Sequence, residues 1–126
     1  MKLLKLIPAA ALALTALTTF EAKSEQLCAK NSAVATIRAV LQTPSSDSNA
    51  TSYQRKEGPE SLSGSTTCVK LGDLVNVGDS YDFYVRVDPQ KGYYTYCVTN
   101  AVRSDADSGK TKNYTVTGTG FDINCK

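Results

Sequence analysis

The sequence predicts an all-β fold, a small antiparallel β-sandwich or barrel stabilised by disulfides. From residue 67 onward, short β-prone runs alternate with turn signals rich in Gly, Asp and Pro, at a spacing typical of such folds. The chain of 126 residues contains four cysteines, an even number that is typical of a small disulfide-bonded domain. Charged residues make up 21% and hydrophobic residues 41%, which disfavours both a disordered polyelectrolyte and a polytopic membrane protein.

Residues 1–22 predict a secretory signal peptide. Two lysines precede an apolar run from Leu6 to Leu17, which suits a signal peptide and is shorter than the roughly 20 residues of a membrane-spanning helix. We expect cleavage after Ala22, with cleavage after Ala16 as the alternative. Residues 23–126 would then form a single secreted β-rich domain.

Residues 33–42 can be read in two ways. As a strand they place alternate apolar side chains on one face, and as a helix they align Val34, Ile37 and Leu41. The β-branched residues favour the strand, which we predict. The alternative is an α+β fold with one helix over 33–42 packed on a twisted antiparallel sheet. Residues 43–65 are polar and contain several Gly, Pro and Ser, which predicts one long loop, with a short strand around Tyr53 as the alternative.

The clearest strand signal is Ser80–Asp88, in which apolar and polar residues alternate. The side chains predicted to face the core are Tyr81, Phe83, Val85 and Val87, and those predicted to face solvent are Asp82, Tyr84, Arg86 and Asp88. A turn with Pro89 and Gly92 leads to a partner strand, Tyr93–Val102. Within Asn113–Cys125, one strand or a pair of strands, the apolar positions change parity, so we expect a β-bulge or sharp bend at Gly118–Gly120.

The four cysteines are predicted to form two disulfides. Their spacing matches no zinc or redox motif, and a zinc site without histidine would need all four thiolates. Spacing leaves three pairings open. We favour Cys28–Cys125 with Cys68–Cys97, because this pairing would join the two ends of the domain and constrain the longest loop.

Composition excludes much of enzyme chemistry. The chain has no histidine, so serine–histidine and cysteine–histidine catalysis are absent. Asp73, Asp79 and Asp88 lie beside Gly or Pro, where aspartate is a turn residue. The segment Asp105–Gly109 resembles the start of a calcium loop but lacks the Gly and Glu that such a loop requires. We therefore predict a protein that is not an enzyme and has no cofactor and no metal site.

Tyrosines are the most informative residues. Six of the seven lie between residues 81 and 114, and the adjacent Tyr93 and Tyr94 must point to opposite faces of a strand. Exposed tyrosines beside an arginine are typical of recognition surfaces. The alternative interpretation is cross-strand aromatic packing that only stabilises the sheet. The predicted binding residues are Tyr84, Arg86, Tyr93, Tyr94 and Tyr96.

Charge and sequon patterns refine the expected partners. The formal net charge is only +2 and no block of like charge occurs, so we predict neither nucleic-acid nor membrane binding. Asn49 and Asn113 begin N-x-[ST] triplets, which predicts a glycoprotein. The sequence leaves the oligomeric state open.

The short length, the signal peptide and the even cysteine count, without a catalytic motif, resemble small secreted effectors of fungi that colonise plants. The resemblance implies an extracellular, effector-like module that binds a host protein and contributes to virulence. The alternative is a glycan- or cell-wall-binding module that uses exposed tyrosines. A protease inhibitor or toxin-like domain is less favoured.

Overall fold

The computed structural model describes residues 25–88, 92–107 and 109–126, and the predicted signal peptide and most of the turn at Pro89 lie outside them. These residues form eight strands and two short 3-10 helices, with no α-helix among them. The all-β fold is therefore confirmed. The strands are β1 (Gln26–Asn31), β2 (Thr36–Thr43), β3 (Gln54–Ser61), β4 (Thr66–Lys70), β5 (Ser80–Asp88), β6 (Tyr94–Val102), β7 (Thr111–Thr119) and β8 (Asp122–Cys125).

The strands form two four-stranded sheets packed as a sandwich. The first sheet has the order β4-β1-β7-β8 and the second the order β3-β2-β5-β6. Strands β1 and β7 run parallel, whereas every other neighbouring pair is antiparallel. The ambiguous segment 33–42 contains most of β2, a central strand of the second sheet, so it is a strand and not a helix.

The core lies between the inner faces of the two sheets. Strand β5 contributes the four apolar side chains that alternation predicted, all at most 1% exposed. Strand β2 adds Ile37, Ala39 and Leu41, and the first sheet adds Leu27, Ala29, Val116 and Ile123. The alternation of apolar residues in each strand therefore places one face of each sheet against the other.

The prediction of one long loop over residues 43–65 is wrong, because β3 occupies Gln54–Ser61 and pairs with β2. Strand β3 lies at the edge of its sheet, and of its eight residues only Ser61 is buried. Its sequence is therefore polar on both faces and carries none of the apolar alternation by which strands are found. The irregular connection between β2 and β3 is limited to residues 44–53.

The sharp bend predicted at Gly118–Gly120 is a hairpin turn between two strands. Thr119 pairs with Asp122, and the chain reverses through Gly120 and Phe121. The reversal explains why the buried positions change parity between β7 and β8. Gly118 has φ +113°, and a Cβ there would lie 1.9 Å from the carbonyl oxygen of Asp122, so the hairpin requires glycine at this position.

All four cysteines form disulfides, as predicted, but the favoured pairing is wrong. The bonds are Cys28–Cys68 and Cys97–Cys125. Strands β1 and β4 are neighbours, and their register places Cys28 directly opposite Cys68, with Cα atoms 4.1 Å apart. The second bond joins β6 to β8, the edge strands of the two different sheets.

Two disulfides are typical of an extracellular protein. In the described residues, no helix is long and apolar enough to cross a membrane.

Candidate binding site

Three tyrosine side chains contact one another on the outer face of the second sheet. Tyr84 belongs to β5, and Tyr94 and Tyr96 belong to β6. The register places Tyr84 opposite Tyr96 and Arg86 opposite Tyr94. The three ring centroids are 5.3, 5.4 and 5.5 Å apart, with tilted or edge-to-face planes, as aromatic rings prefer. We call these three residues the tyrosine cluster.

The tyrosine cluster forms one wall of a pocket of about 280 Å³. Gln42 of β2 and Arg55 of β3 form another part of its lining, and the connection between β2 and β3 contributes Ser46 and Tyr53. The pocket therefore combines residues of four strands with one loop. Tyr94 is 48% exposed, so its ring is accessible from solvent. We call this cavity the tyrosine pocket.

Arg55 is the cation of the tyrosine pocket. Its Nε donates a hydrogen bond to Gln42 Oε1 at 2.8 Å, and a second interaction joins its guanidinium to the Tyr84 hydroxyl. Within the described residues Arg55 forms no salt bridge. Arg38 and Arg86, on the same face, both pair with carboxylates, namely Glu57, Glu60 and Asp88.

The hydroxyl groups of Tyr84 and Tyr96 stay protonated at neutral pH. Burial raises the pKa of the Tyr84 hydroxyl above its usual value, although the charge and hydrogen bond of Arg55 act in the opposite direction. Burial also raises the pKa of Tyr96, and the neighbouring Tyr94 and Asp82 act in the same direction. Both hydroxyls can therefore donate as well as accept hydrogen bonds.

Asp82 was predicted to face solvent, but its side chain is buried next to the pocket. Its side chain is fully buried and accepts hydrogen bonds from Ser45 Oγ at 2.9 Å, Ser46 N at 2.8 Å and Asn100 N at 2.9 Å. Burial alone would raise the pKa of Asp82, but these hydrogen bonds hold it below its ordinary value. The ionised carboxylate thus joins two segments to β5. One is the β2–β3 connection, and the other is the part of β6 near Asn100, where the strand has a bulge.

The structure brings together three of the five predicted binding residues. Arg86 lies on the same face, but it forms salt bridges with Glu57 and Asp88 instead of lining the pocket. Tyr93 lies outside the tyrosine pocket: it is partly buried, packs against the core and contacts Phe121, with ring centroids 5.3 Å apart, so a binding role for it remains a prediction. Its hydroxyl donates to the carbonyl of Phe121 and accepts a hydrogen bond from Ile123 N at 3.0 Å.

The two predicted glycosylation sites lie on different parts of the molecule. Asn49 is exposed in the connection between β2 and β3, and Asn113 is exposed on the outer face of the first sheet. Glycosylation of both remains a prediction.

Among the described residues, no group of three or more Asp, Glu or Cys side chains is placed to hold a metal ion.

Sequence reasoning missed four residues of the tyrosine pocket, namely Gln42, Ser46, Tyr53 and Arg55. The last three fell in the segment that was predicted to be one loop. A signal was present, because Tyr53 and Arg55 are two positions apart in a stretch without Gly or Pro and would share a face of a strand. Nothing in the sequence indicated which tyrosines this face would meet.

No family model and no curated protein matches the sequence. Among solved structures, the fold is similar to part of the crystal structure of listeriolysin O, with a TM-score of 0.44 and 9% sequence identity. The match covers 82% of this chain and 22% of that chain, so this chain spans less than a quarter of that protein's length. A similarity at this level assigns no function.

Proposed function

We propose that this chain is an extracellular, non-enzymatic binding module that recognises carbohydrate through the tyrosine pocket. The observation that carries the proposal is the tyrosine cluster itself: three rings in mutual contact on the outer face of a sheet, beside a pocket. The C–H groups of a sugar ring pack on aromatic faces, and its hydroxyls need donors and acceptors at the rim. The side chains of Gln42, Ser46 and Arg55 supply these.

The size of the pocket supports a sugar residue as ligand. Ligand pockets typically measure about 300–1,000 Å³, and the tyrosine pocket, at about 280 Å³, lies just below the lower limit of this range. A cavity of this size suits one sugar ring. A standard protein interface, in contrast, buries about 800 Å² on each partner and is mostly flat. The glycan alternative from the sequence is therefore favoured over the protein partner.

A host protein remains the second candidate partner, and a specific surface supports it. Next to the tyrosine cluster, Arg86 pairs with Glu57 and Asp88, and Arg38 pairs with Glu60 and Asp88. Aromatic residues beside a charged, partly exposed network are typical of protein interfaces with a polar rim. An effector-like module would use this larger surface in addition to the pocket.

Retention of the oxidised, secreted protein on immobilised polysaccharides tests the proposal. We expect Tyr94→Ala to weaken retention about tenfold, because a ring anchor in a binding site contributes more than about 1 kcal/mol. Phe121→Ala is the matched control, since Phe121 is an aromatic residue 73% exposed on the β7–β8 hairpin, outside the pocket.

Three outcomes would contradict carbohydrate recognition through this pocket: no retention on any polysaccharide, retention that Tyr94→Ala leaves unchanged, or equal loss with Phe121→Ala. Capture of a single extracellular protein that Arg86→Ala releases, without any polysaccharide binding, would instead establish the second candidate.

A further inference from the structure

We infer that the ligand of the tyrosine pocket is a sugar that carries a carboxylate, with Arg55 as the residue that binds this group. The inference rests on the proposed carbohydrate-binding function and adds the chemical class of the sugar. Hexuronates and sialic acids share this chemistry, a pyranose ring with a carboxylate attached. The argument depends on how positive charge is distributed over the outer face of the second sheet.

Arg55 differs from the other arginines on its face. Arg38 lies 3.3 Å from Glu60 Oε2, and Arg86 has two carboxylate partners, so the charges of both are compensated. Arg55 has only neutral partners in the described residues, the Gln42 amide and the Tyr84 hydroxyl. No carboxylate in the described residues forms an ion pair with Arg55, and an anionic ligand group would take this position.

The geometry of Arg55 suits a carboxylate in particular. A guanidinium has five N–H donors in a planar fork, and the bonds to Gln42 and Tyr84 leave donors for a bidentate contact. The bond from Nε to Gln42 Oε1 fixes the orientation of the fork, so less side-chain entropy is lost on binding. The Arg55 side chain is thus preorganised beside the aromatic wall.

The acidic residues near the pocket do not compete for this position. Asp82 lies beneath the site, and three hydrogen bonds from Ser45, Ser46 and Asn100 engage its carboxylate. Glu57, two positions after Arg55 on β3, pairs with Arg86. The ring of a bound sugar would pack on Tyr94, the most exposed member of the tyrosine cluster, while its carboxylate would reach Arg55.

Pairs of probes that differ in the charge of one group test the inference. Polygalacturonate is compared with its methyl ester, and sialyllactose with its methyl ester, by equilibrium titration of the intact oxidised protein. We expect one acidic probe of these pairs to bind at least tenfold more tightly than its neutral counterpart. Whichever acid binds identifies the source of the carboxylate, a uronate or a sialic acid.

Variants of Arg55 connect this selectivity to the pocket. Arg55→Gln should weaken binding of the acidic probe roughly 10- to 100-fold, the value of a charge-assisted hydrogen-bonded pair. Arg55→Lys should restore only part of the loss, because lysine keeps the charge without the fork. Arg38→Gln is the control, since it removes an equal charge from the same face outside the pocket and should leave binding within twofold.

The outcomes separate the inference from the function on which it rests. Equal binding of acidic and neutral probes, with Arg55→Gln unchanged, would overturn the carboxylate assignment and leave carbohydrate recognition standing. Equal losses with Arg38→Gln and Arg55→Gln would show attraction to the whole face and would also overturn it. Absence of binding to all four probes and to every immobilised polysaccharide would overturn both proposals.

Discussion

The two sheets of the sandwich have similar inner faces and very different outer faces. On the first sheet, β7 presents four exposed threonines and Asn113, and the Cys28–Cys68 disulfide lies on the same side. On the second sheet, the outer face carries the tyrosine cluster, the arginines and the buried carboxylate of Asp82. The β2–β3 connection, residues 44–53, contributes side chains to the tyrosine pocket on this second face. The two sheets thus pack against each other through similar apolar inner faces, but only the outer face of the second sheet has the features of a binding site in the described residues.

The largest effect is expected from the disulfide that joins the two sheets. If only the entropy of the unfolded chain is considered, the two disulfides stabilise the fold almost equally. Their loops of 40 and 28 residues correspond to stabilisation by about 3.9 and 3.6 kcal/mol. Cys125 lies in the core, however, and its bond connects β6 to β8, whereas β1 and β4 also pair through backbone hydrogen bonds. We therefore expect Cys97→Ser with Cys125→Ser to lower the free energy of unfolding by about 4–5 kcal/mol and the Cys28/Cys68 serine pair by about 2–3 kcal/mol.

Denaturant unfolding of the two double variants measures this difference. The Cys28/Cys68 variant should also keep its ligand affinity, because its disulfide lies on the face without the pocket. A larger stability loss for the Cys28/Cys68 variant would mean that loop length alone determines how much each disulfide stabilises the fold. A loss of ligand affinity in that variant would contradict the separation of the two faces.

The next effect concerns Asp82, which belongs only to the second face. Ser46 N and Asn100 N donate to different carboxylate oxygens of Asp82, and Asp82→Asn replaces one of these oxygens with an NH2 donor, so one N–H group loses its acceptor; a buried unpaired group costs about 1–3 kcal/mol. The folded-state pKa of Asp82 lies below its ordinary value of 3.8, so its stabilising contribution is complete above that value and is lost as the pH falls through the folded-state pKa. The stability difference between wild type and variant should therefore narrow below about pH 4.

Thermal unfolding from pH 7 to pH 2 measures this dependence, with Asp73→Asn, an exposed aspartate, as the control. The Asp82 variant should also bind ligand more weakly, because Ser46 lines the pocket. A stability difference that stays constant down to pH 2 would contradict the assignment of an ionised, hydrogen-bonded carboxylate.

The comparison of the faces also shows what the sequence could predict. The alternation of apolar and polar residues over Ser80–Asp88 was sufficient to predict β5 and its buried face, because this pattern depends only on residues that are adjacent in the sequence. The disulfide pairing depends on which strands are neighbours, and local sequence carries no such information. Strand β3 was missed because an edge strand needs no apolar face.

The residues of the tyrosine pocket were predicted in part for the same reason. Tyr84, Tyr94 and Tyr96 were found because strands joined by a hairpin place their side chains together. Arg55 and Gln42 were not found, since they reach the pocket through β2–β3 pairing that the polar sequence of β3 concealed. Asp82 was placed on the correct face, but its burial depends on the β2–β3 connection, which has no pattern that predicts its path.

The smallest effect distinguishes two neighbouring tyrosines. Tyr93→Phe removes the hydroxyl that joins Phe121 and Ile123, so we expect a loss of about 1 kcal/mol in the free energy of unfolding and no change in ligand affinity. Tyr94→Phe should change stability by less than about 0.5 kcal/mol, because its side chain lies at the surface. Binding by Tyr94→Phe should largely persist, since the ring remains, whereas Tyr94→Ala removes it. Equal stability losses for the two phenylalanine variants would contradict the assignment of one tyrosine to the core side and the other to the binding face.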